Sequence, residues 1–342
     1  MSLRTSFSSD KKFIFLFFIV FLLSPYVLLF GHWTQSLAAL QSFDWEELRW
    51  ALKNSFTQSF FSSFLAFILG LFLFFGLGQC RFWWPENKKL LAVTEFLVLA
   101  PSFLPALFLI LVVMSFVQPF PIGLIGVSLL HALMNAGLVA VMLDQLYQEK
   151  VESLAQVAIV FGAKKSFFVR RVFPLIVKDL FAIFIFVFIL CFASFSVPMI
   201  AGGGNATTLE ILIYEKIRFS GQWGSAVLLS LLQLLFIFVF TLNPFKTQSP
   251  RLDRPRSQLI FFRGIFSFMI LLSYCFLFSG YFLWQSFSGF DQLMNISGLI
   301  TEALSLIPSS LFLALSVGFV VLFLLLLSAW GAPNYILQKW IS

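Results

Sequence analysis

Residues 55–78 read SFTQSFFSSFLAFILGLFLFFGLG, a run without a single Asp, Glu, Lys or Arg. A helix needs about 20 apolar residues to cross the roughly 30 Å hydrocarbon core of a bilayer. The run is continuous and does not alternate, so it reads as a spanning helix and not as a barrel strand. Working outward, seven further runs have the same character: Phe13–Phe30, Leu91–Val117, Leu124–Leu143, Leu180–Ile200, Ser225–Leu242, Ile265–Trp284 and Ala303–Trp330. Of the 342 residues, 60% are hydrophobic, 11% are charged and 49 are phenylalanine. So few charges cannot cover that much apolar surface in water, and disorder requires the opposite composition. The expected fold class is an all-α membrane protein, a polytopic bundle of about eight transmembrane helices. The first run follows Lys11 and Lys12 but is longer than a signal-peptide core, so it is read as a retained helix.

The formal net charge of +7 points to nucleic acid until the charges are placed. With the N-terminus in the cytoplasm, eighteen of the 22 Lys and Arg residues fall on the cytoplasmic side. Only Arg49, Lys53, Lys216 and Arg218 fall outside. That asymmetry is the positive-inside signal. It accounts for the basic balance without nucleic acid and predicts a multi-pass membrane protein with both termini cytoplasmic.

Residues 243–257, NPFKTQSPRLDRPRS, hold three prolines and four basic residues and read as a linker. The expected organisation is a six-helix core over 1–242, a cytoplasmic linker over 243–263 and a two-helix unit over 264–342. That last unit looks like a second beginning, because Phe290 and Asp291 repeat the outer pair Phe43 and Asp44. The outer segment His32–Asn54, with Trp33, Trp45 and Trp50, suits a short helix on the membrane surface. Cys80, Cys191 and Cys275 sit in or beside spans and read as packing residues, and two histidines give no metal cluster. No bound cofactor is expected for this chain.

The stretch between Asp144 and Asp179 contains SLAQVAIVFGAKKSFFVRRVFPLI. Gly162 allows a turn that other residues resist. Apolar residues on either side (Leu154, Val157, Ala158 and Phe161, then Phe167, Phe168 and Val172) suit two short helices meeting there. Pro174 is read as ending the second as the chain re-enters the membrane. Apolar faces in a water-exposed segment need a partner to cover them. No G-x-x-x-x-G-K-[ST] sequence is present to cradle ATP phosphates. On the outer side, Gly202, Gly203 and Gly204 form a flexible re-entry turn. Thr207, Thr208, Glu210 and Tyr214 follow as candidate contacts for a substrate or a delivering protein. The competing reading is an ordinary turn with Thr207 or Thr208 capping the next helix. Within the membrane, His131 and Asn135 share a helix face at i, i+4. They either line a pathway or bond between helices.

The Gly162 stretch resembles the "EAA" loop of inner-membrane permeases of binding-protein-dependent ABC importers. Gln156 stands at the Glu position, Val157 and Ala158 at the two alanines, and Gly162 with Ala163 at the Gly-Ala. Pro174 stands at the proline, one residue closer to the glycine than in the general pattern. Asn54-Ser55, Pro101, Pro105, His131 and Asn135 agree with the same family. LCFASF at 190–195 and GGGNATTLEILIYEKIR at 202–218 are similar to the thiamine-type permeases, and more loosely to the ferric-iron type. The resemblance implies a permease subunit, not an enzyme, that moves a small solute from periplasm to cytoplasm, with thiamine or thiamine phosphate favoured. It implies ABC ATPase subunits that use ATP and grip Gln156, Ala158, Gly162, Ala163 and Pro174. It also implies a periplasmic solute-binding protein. The 255-residue offset of the apparent repeat puts a second such loop past residue 342, so a second permease half is expected from a homodimer or a separate chain. The alternatives from other classes are an ion-coupled secondary transporter and a truncated, non-transporting membrane protein.

Overall fold

A computed structural model describes residues 44–162, 166, 168–241, 264–285, 308–312 and 314–319. The chain divides into two compact units, Ser36–Gln285 and a second made of Met1–Gln35 with Ser286–Ser342. In the second unit the described residues are exposed helix between Pro308 and Phe319, inside the run expected at 303–330. The run Phe13–Phe30 lies outside the described residues.

The larger unit begins with α1, Trp45–Trp83. Asp44 caps it: its Oδ1 accepts from the N–H groups of Glu46 (2.9 Å) and Glu47 (3.1 Å). At 39 residues, α1 is about 58 Å long. Of the segment His32–Asn54, expected to hold a short surface helix, the described residues 45–54 are instead the first turns of this helix. No Gly or Pro interrupts the chain between Asp44 and Gly70, and Leu48 and Ala51 are buried, so the helix runs straight into the span.

The run expected at Leu91–Val117 is two helices, α2 (Lys88–Phe103) and α3 (Ala106–Phe116), bent by 100° at the break. Pro101 sits within α2, and the break falls before Pro105, where Leu104 is extended (φ −73°, ψ 147°). A residue preceding proline is driven out of the helical region, which places the break there.

Helix α4, Leu124–Leu146, does not end where the connecting segment was expected to begin. It continues through a π-helical turn, Tyr147–Val151, into α5, Glu152–Val160. Gly162, at φ +69°, then turns the chain. The return starts with a second π-helical turn, Phe168–Val172, that leads directly into α6, Phe173–Phe192. Pro174 therefore opens a membrane helix and does not close a short one. Its missing N–H costs nothing in a first turn. The run expected to reach Ile200 stops at Phe192, and Ser196–Ala201 is a separate short helix, α7. Then come α8 (Leu209–Arg218), α9 (Trp223–Thr241) and α10 (Ile265–Cys275), which runs on through a π-helical turn at Phe276–Tyr281 to residue 285.

Among the described residues, five helices are long and apolar enough to cross a membrane, or six when the bent α2–α3 pair is taken as one span. Helix α1 is central, packing on α4, α6 and α10, while α2 lies on α4 and α8 on α9. Lipid offers no hydrophobic drive between helices, so close packing must supply the attraction. Gly137 of α4 shows this: a Cβ there would collide with the Val98 carbonyl of α2. Nearby, Tyr274 Oη donates to the Leu133 carbonyl at 2.8 Å and fixes α10 to α4. Ile265–Gln285, read from sequence as opening a second half, thus packs within the same unit as the preceding helices.

Candidate functional site

Three groups of residues carry chemistry: a polar seam inside the bundle, a glycine-rich end, and the hairpin around Gly162. The seam lies on α1. Ser55, Gln58, Ser59, Ser62 and Ser63 recur at helical spacing, so one stripe of an otherwise apolar helix is polar, and all five are buried. Gln58 Nε2 donates to the Cys191 carbonyl and to Ser59 Oγ, both at 2.9 Å. Its Oε1 lies 3.0 Å from His131 Nδ1. An amide oxygen only accepts, so His131 carries its proton on Nδ1. Nε2 is left as a bare acceptor, buried without a partner. Asn135 Nδ2 donates to the His131 carbonyl at 2.9 Å and lies 3.7 Å from Cys191 Sγ. The two residues expected on one face of span four therefore sit together in a junction of α1, α4 and α6.

At the glycine-rich end, Gly202 is buried, while Gly203 (φ +58°) and Gly204 (φ +77°) are exposed. The Gly123 N–H donates to the Ala201 carbonyl at 2.8 Å, which holds this turn against the start of α4. Neither threonine caps α8 with its side chain. Thr207 Oγ1 donates at 3.4 Å to the Gly204 carbonyl, and the Thr208 hydroxyl is buried without a partner. The cap comes from another helix: Ser55 Oγ accepts from Leu209 N–H at 2.8 Å, and Asn54 Nδ2 donates to the Thr207 carbonyl at 3.1 Å. Glu210 accepts from Gln233 Nε2 at 2.6 Å and so anchors α8 to α9. The ring of Tyr214 packs between Phe195 and Phe219, with centroids 5.1 and 5.9 Å away. Lys216 pairs with Glu47 at 2.5 Å.

The opposite end is the hairpin. On α5, Ala155 and Ala158 are buried, whereas Gln156, Leu154, Val157, Val160 and Phe161 are exposed, Phe161 by 84%. Gly162 and Pro174 are exposed, and Ala163 lies outside the described residues. The expected residues thus divide: Ala158 faces inward, and Gln156 and Gly162 border an uncovered apolar face. At the base, Lys150 Nζ lies 2.8 Å from both carboxylate oxygens of Asp179 and ties one limb to the other. One to two turns inward, Arg81 of α1 pairs with Asp144 of α4 and, at 2.7 Å, with Glu95 of α2.

From sequence, Arg81 and Lys150 count only among the cytoplasmic charges of the positive-inside signal. Gln58, both ion clusters and the role of Ser55 as a cap were missed. The stripe at 55, 58, 59, 62 and 63 was the available signal for the seam. The ion pairs join residues 14 to 63 positions apart and leave no local pattern. An open groove of about 470 Å³ is walled by Phe56, Phe60, Phe61, Phe184, Phe188 and Phe240, with Thr57 its polar member. Among the described residues, no group of three or more His, Cys, Asp or Glu is placed to hold a metal ion.

Helices of spanning length, a polar seam within them and an uncovered apolar hairpin at one end define an all-α multi-pass membrane protein. No family model matches the sequence. The curated relatives are more specific. The thiamine transport system permease protein ThiP of Escherichia coli is 30% identical over 210 residues, 57% of this chain and 38% of that protein. ThiP of Salmonella typhimurium is 29% identical over the same shares. ThiP of Haemophilus influenzae is 30% identical over 166 residues, 45% of this chain and 30% of that protein. The resemblance to thiamine-type permeases is shown by these matches, although the chain spans under two fifths of those relatives' length.

Proposed function

We propose that this chain is a permease subunit of an ATP-binding cassette importer that moves a small solute, thiamine or thiamine phosphate, from periplasm to cytoplasm. The observation that carries the reading is the hairpin at Gly162. Its face of Leu154, Val157, Val160 and Phe161 is uncovered, in a chain that is similar over part of its length to thiamine transport permeases. An apolar face in water is stable only when covered, and separate ATPase subunits are the partner that fits.

The hairpin then faces the cytoplasm, in keeping with the charge asymmetry, and the glycine-rich end faces a periplasmic solute-binding protein. Gln156, Ala158, Gly162, Ala163 and Pro174 belong to the ATPase side. Gly203, Gly204 and Tyr214 belong to the receiving side. Thr208 and Glu210 shape that side from within. A second helical half, from another copy or another polypeptide, completes the pathway. ATP is used by the partner, and no cofactor is held by this chain. Because α5 continues α4 through the π-helical turn at Tyr147–Val151, the hairpin and the pair His131 and Asn135 lie along one helix. Solute must bind the outward and inward states with different affinity, or hydrolysis drives no net movement.

Deletion of Gly162–Ser166 tests the reading. The deleted chain should insert in the membrane and fail to retain ATPase subunits in a pull-down; undiminished recovery would overturn the docking role. Uptake that persists in energised vesicles depleted of ATP would instead indicate an ion-coupled carrier.

A further inference from the structure

Both limbs of the hairpin carry a π-helical turn at their base, Tyr147–Val151 and Phe168–Val172. Such turns are loosely bonded and are places where helices bend. A force applied at Gly162 would therefore flex the limbs before it moved the bundle. Lys150 lies within the first of these turns, and Asp179 lies two turns beyond the second. Their bidentate contact, 2.8 Å to each oxygen, joins the limbs across that weak level. The side chains are only 26% and 13% exposed, so water screens the pair less than it would a surface pair.

The next tier repeats the device. Asp144 lies about 9 Å further along the same helix. It accepts from Arg81 and, at 2.7 Å, from Gln148 Nε2. Arg81 also holds Glu95 on α2, the helix that leads to the 100° bend before Pro105. Arg81 and Asp144 side chains are 7% and 6% exposed.

We propose that Lys150 and Asp179 are positioning residues for energy coupling. They lock the hairpin into one strut, so that a push at Gly162 reaches α1, α2 and α4 through the Arg81–Asp144–Glu95 tier. This rests on the importer reading above. The strut contacts neither solute nor nucleotide, so its loss separates ATP hydrolysis from transport.

The test uses the full chain assembled with its ATPase subunits in proteoliposomes, with solute-binding protein and radiolabelled thiamine as the probe. Asp179→Asn keeps the shape and removes the charge, and Asp179→Glu keeps the charge. Asp179→Asn should retain ATPase subunits and hydrolysis while moving about tenfold less thiamine per ATP, within the usual span of coupling between sites. Asp179→Glu should recover most of that ratio. An unchanged ratio in Asp179→Asn overturns the strut and leaves the importer reading intact. Failure of Asp179→Asn to accumulate in the membrane, or to hold ATPase subunits, also overturns it, by making the pair a folding or docking element. Absence of ATP-dependent uptake by the unaltered assembly overturns the importer reading and the strut with it.

Discussion

Ser55 Oγ accepts the backbone N–H of Leu209 at 2.8 Å, across 154 residues of chain. A helix normally has its N-terminal N–H groups capped by its own N-cap side chain, at the second or third residue. Here Thr208 is extended in the cap position with its hydroxyl turned elsewhere, and α1 supplies the acceptor. The register of the glycine-rich end is thereby fixed to the spanning core. Ser55→Ala should cost α8 about 1 kcal/mol and raise amide exchange at Leu209 about fivefold, since 1.4 kcal/mol is tenfold. Ser55→Thr should restore slow exchange. Hydrogen-exchange mass spectrometry of 205–215 in nanodiscs makes the measurement.

Gln58 holds three helices through one amide. Gln58→Leu is close in size but leaves His131 Nδ1 buried without its partner and takes the side-chain donor from the Cys191 carbonyl. Loss of a buried partner costs about 1–3 kcal/mol, although bonds within membranes average nearer about 0.6 kcal/mol. The expected result is a lower midpoint of thermal unfolding in detergent, with Gln58→Glu no rescue, because a carboxylate cannot donate to the Cys191 carbonyl.

Arg81 neutralises two carboxylates while almost fully shielded from water. Arg81→Ala removes the cation that Asp144 and Glu95 share, at about 3–5 kcal/mol for a broken buried pair. Arg81→Lys keeps the charge and loses the fork that reaches Asp144 and Glu95 together. Folded yield by fluorescence-detected size exclusion should fall in the order unaltered chain, Arg81→Lys, Arg81→Ala. Equal yields would mean that the cluster contributes nothing to assembly.

Gly162 stands at φ +69° with open space around its missing side chain. The objection to a larger residue is thus backbone strain, not collision. Gly162→Val should cost about 1–2 kcal/mol locally, the penalty of the left-handed region. Because the turn lies outside the core, thermal stability should hold while ATPase recovery in a pull-down falls several-fold.

The spans were legible because lipid imposes one rule on every residue of a crossing helix, and an unbroken apolar run records it. Helix ends were not. Leu143 and Asp144 look like the end of a span and the start of a loop, yet helix propensity carries the chain through both, since no Gly or Pro stands between Leu143 and Gly162. Pro105 announced its own break, while Pro101 was absorbed by α2. At the site, Gly162 and the exposed Val157 and Phe161 could be anticipated, because a turn and an apolar face are local properties. The cap from Ser55 and the ties Arg81–Asp144 and Lys150–Asp179 could not, because each is made by tertiary proximity between residues that carry no mutual spacing.

The central claim is that the Gly162 hairpin faces the compartment that holds ATP. Gln156 is exposed on α5 and gives a direct probe. In a chain whose native cysteines are replaced by alanine, Gln156→Cys should be modified by a membrane-impermeant maleimide in inside-out vesicles and spared in intact cells. ATPase subunits should protect it. Modification from outside intact cells would contradict the account, since no ATPase could reach a hairpin on that side.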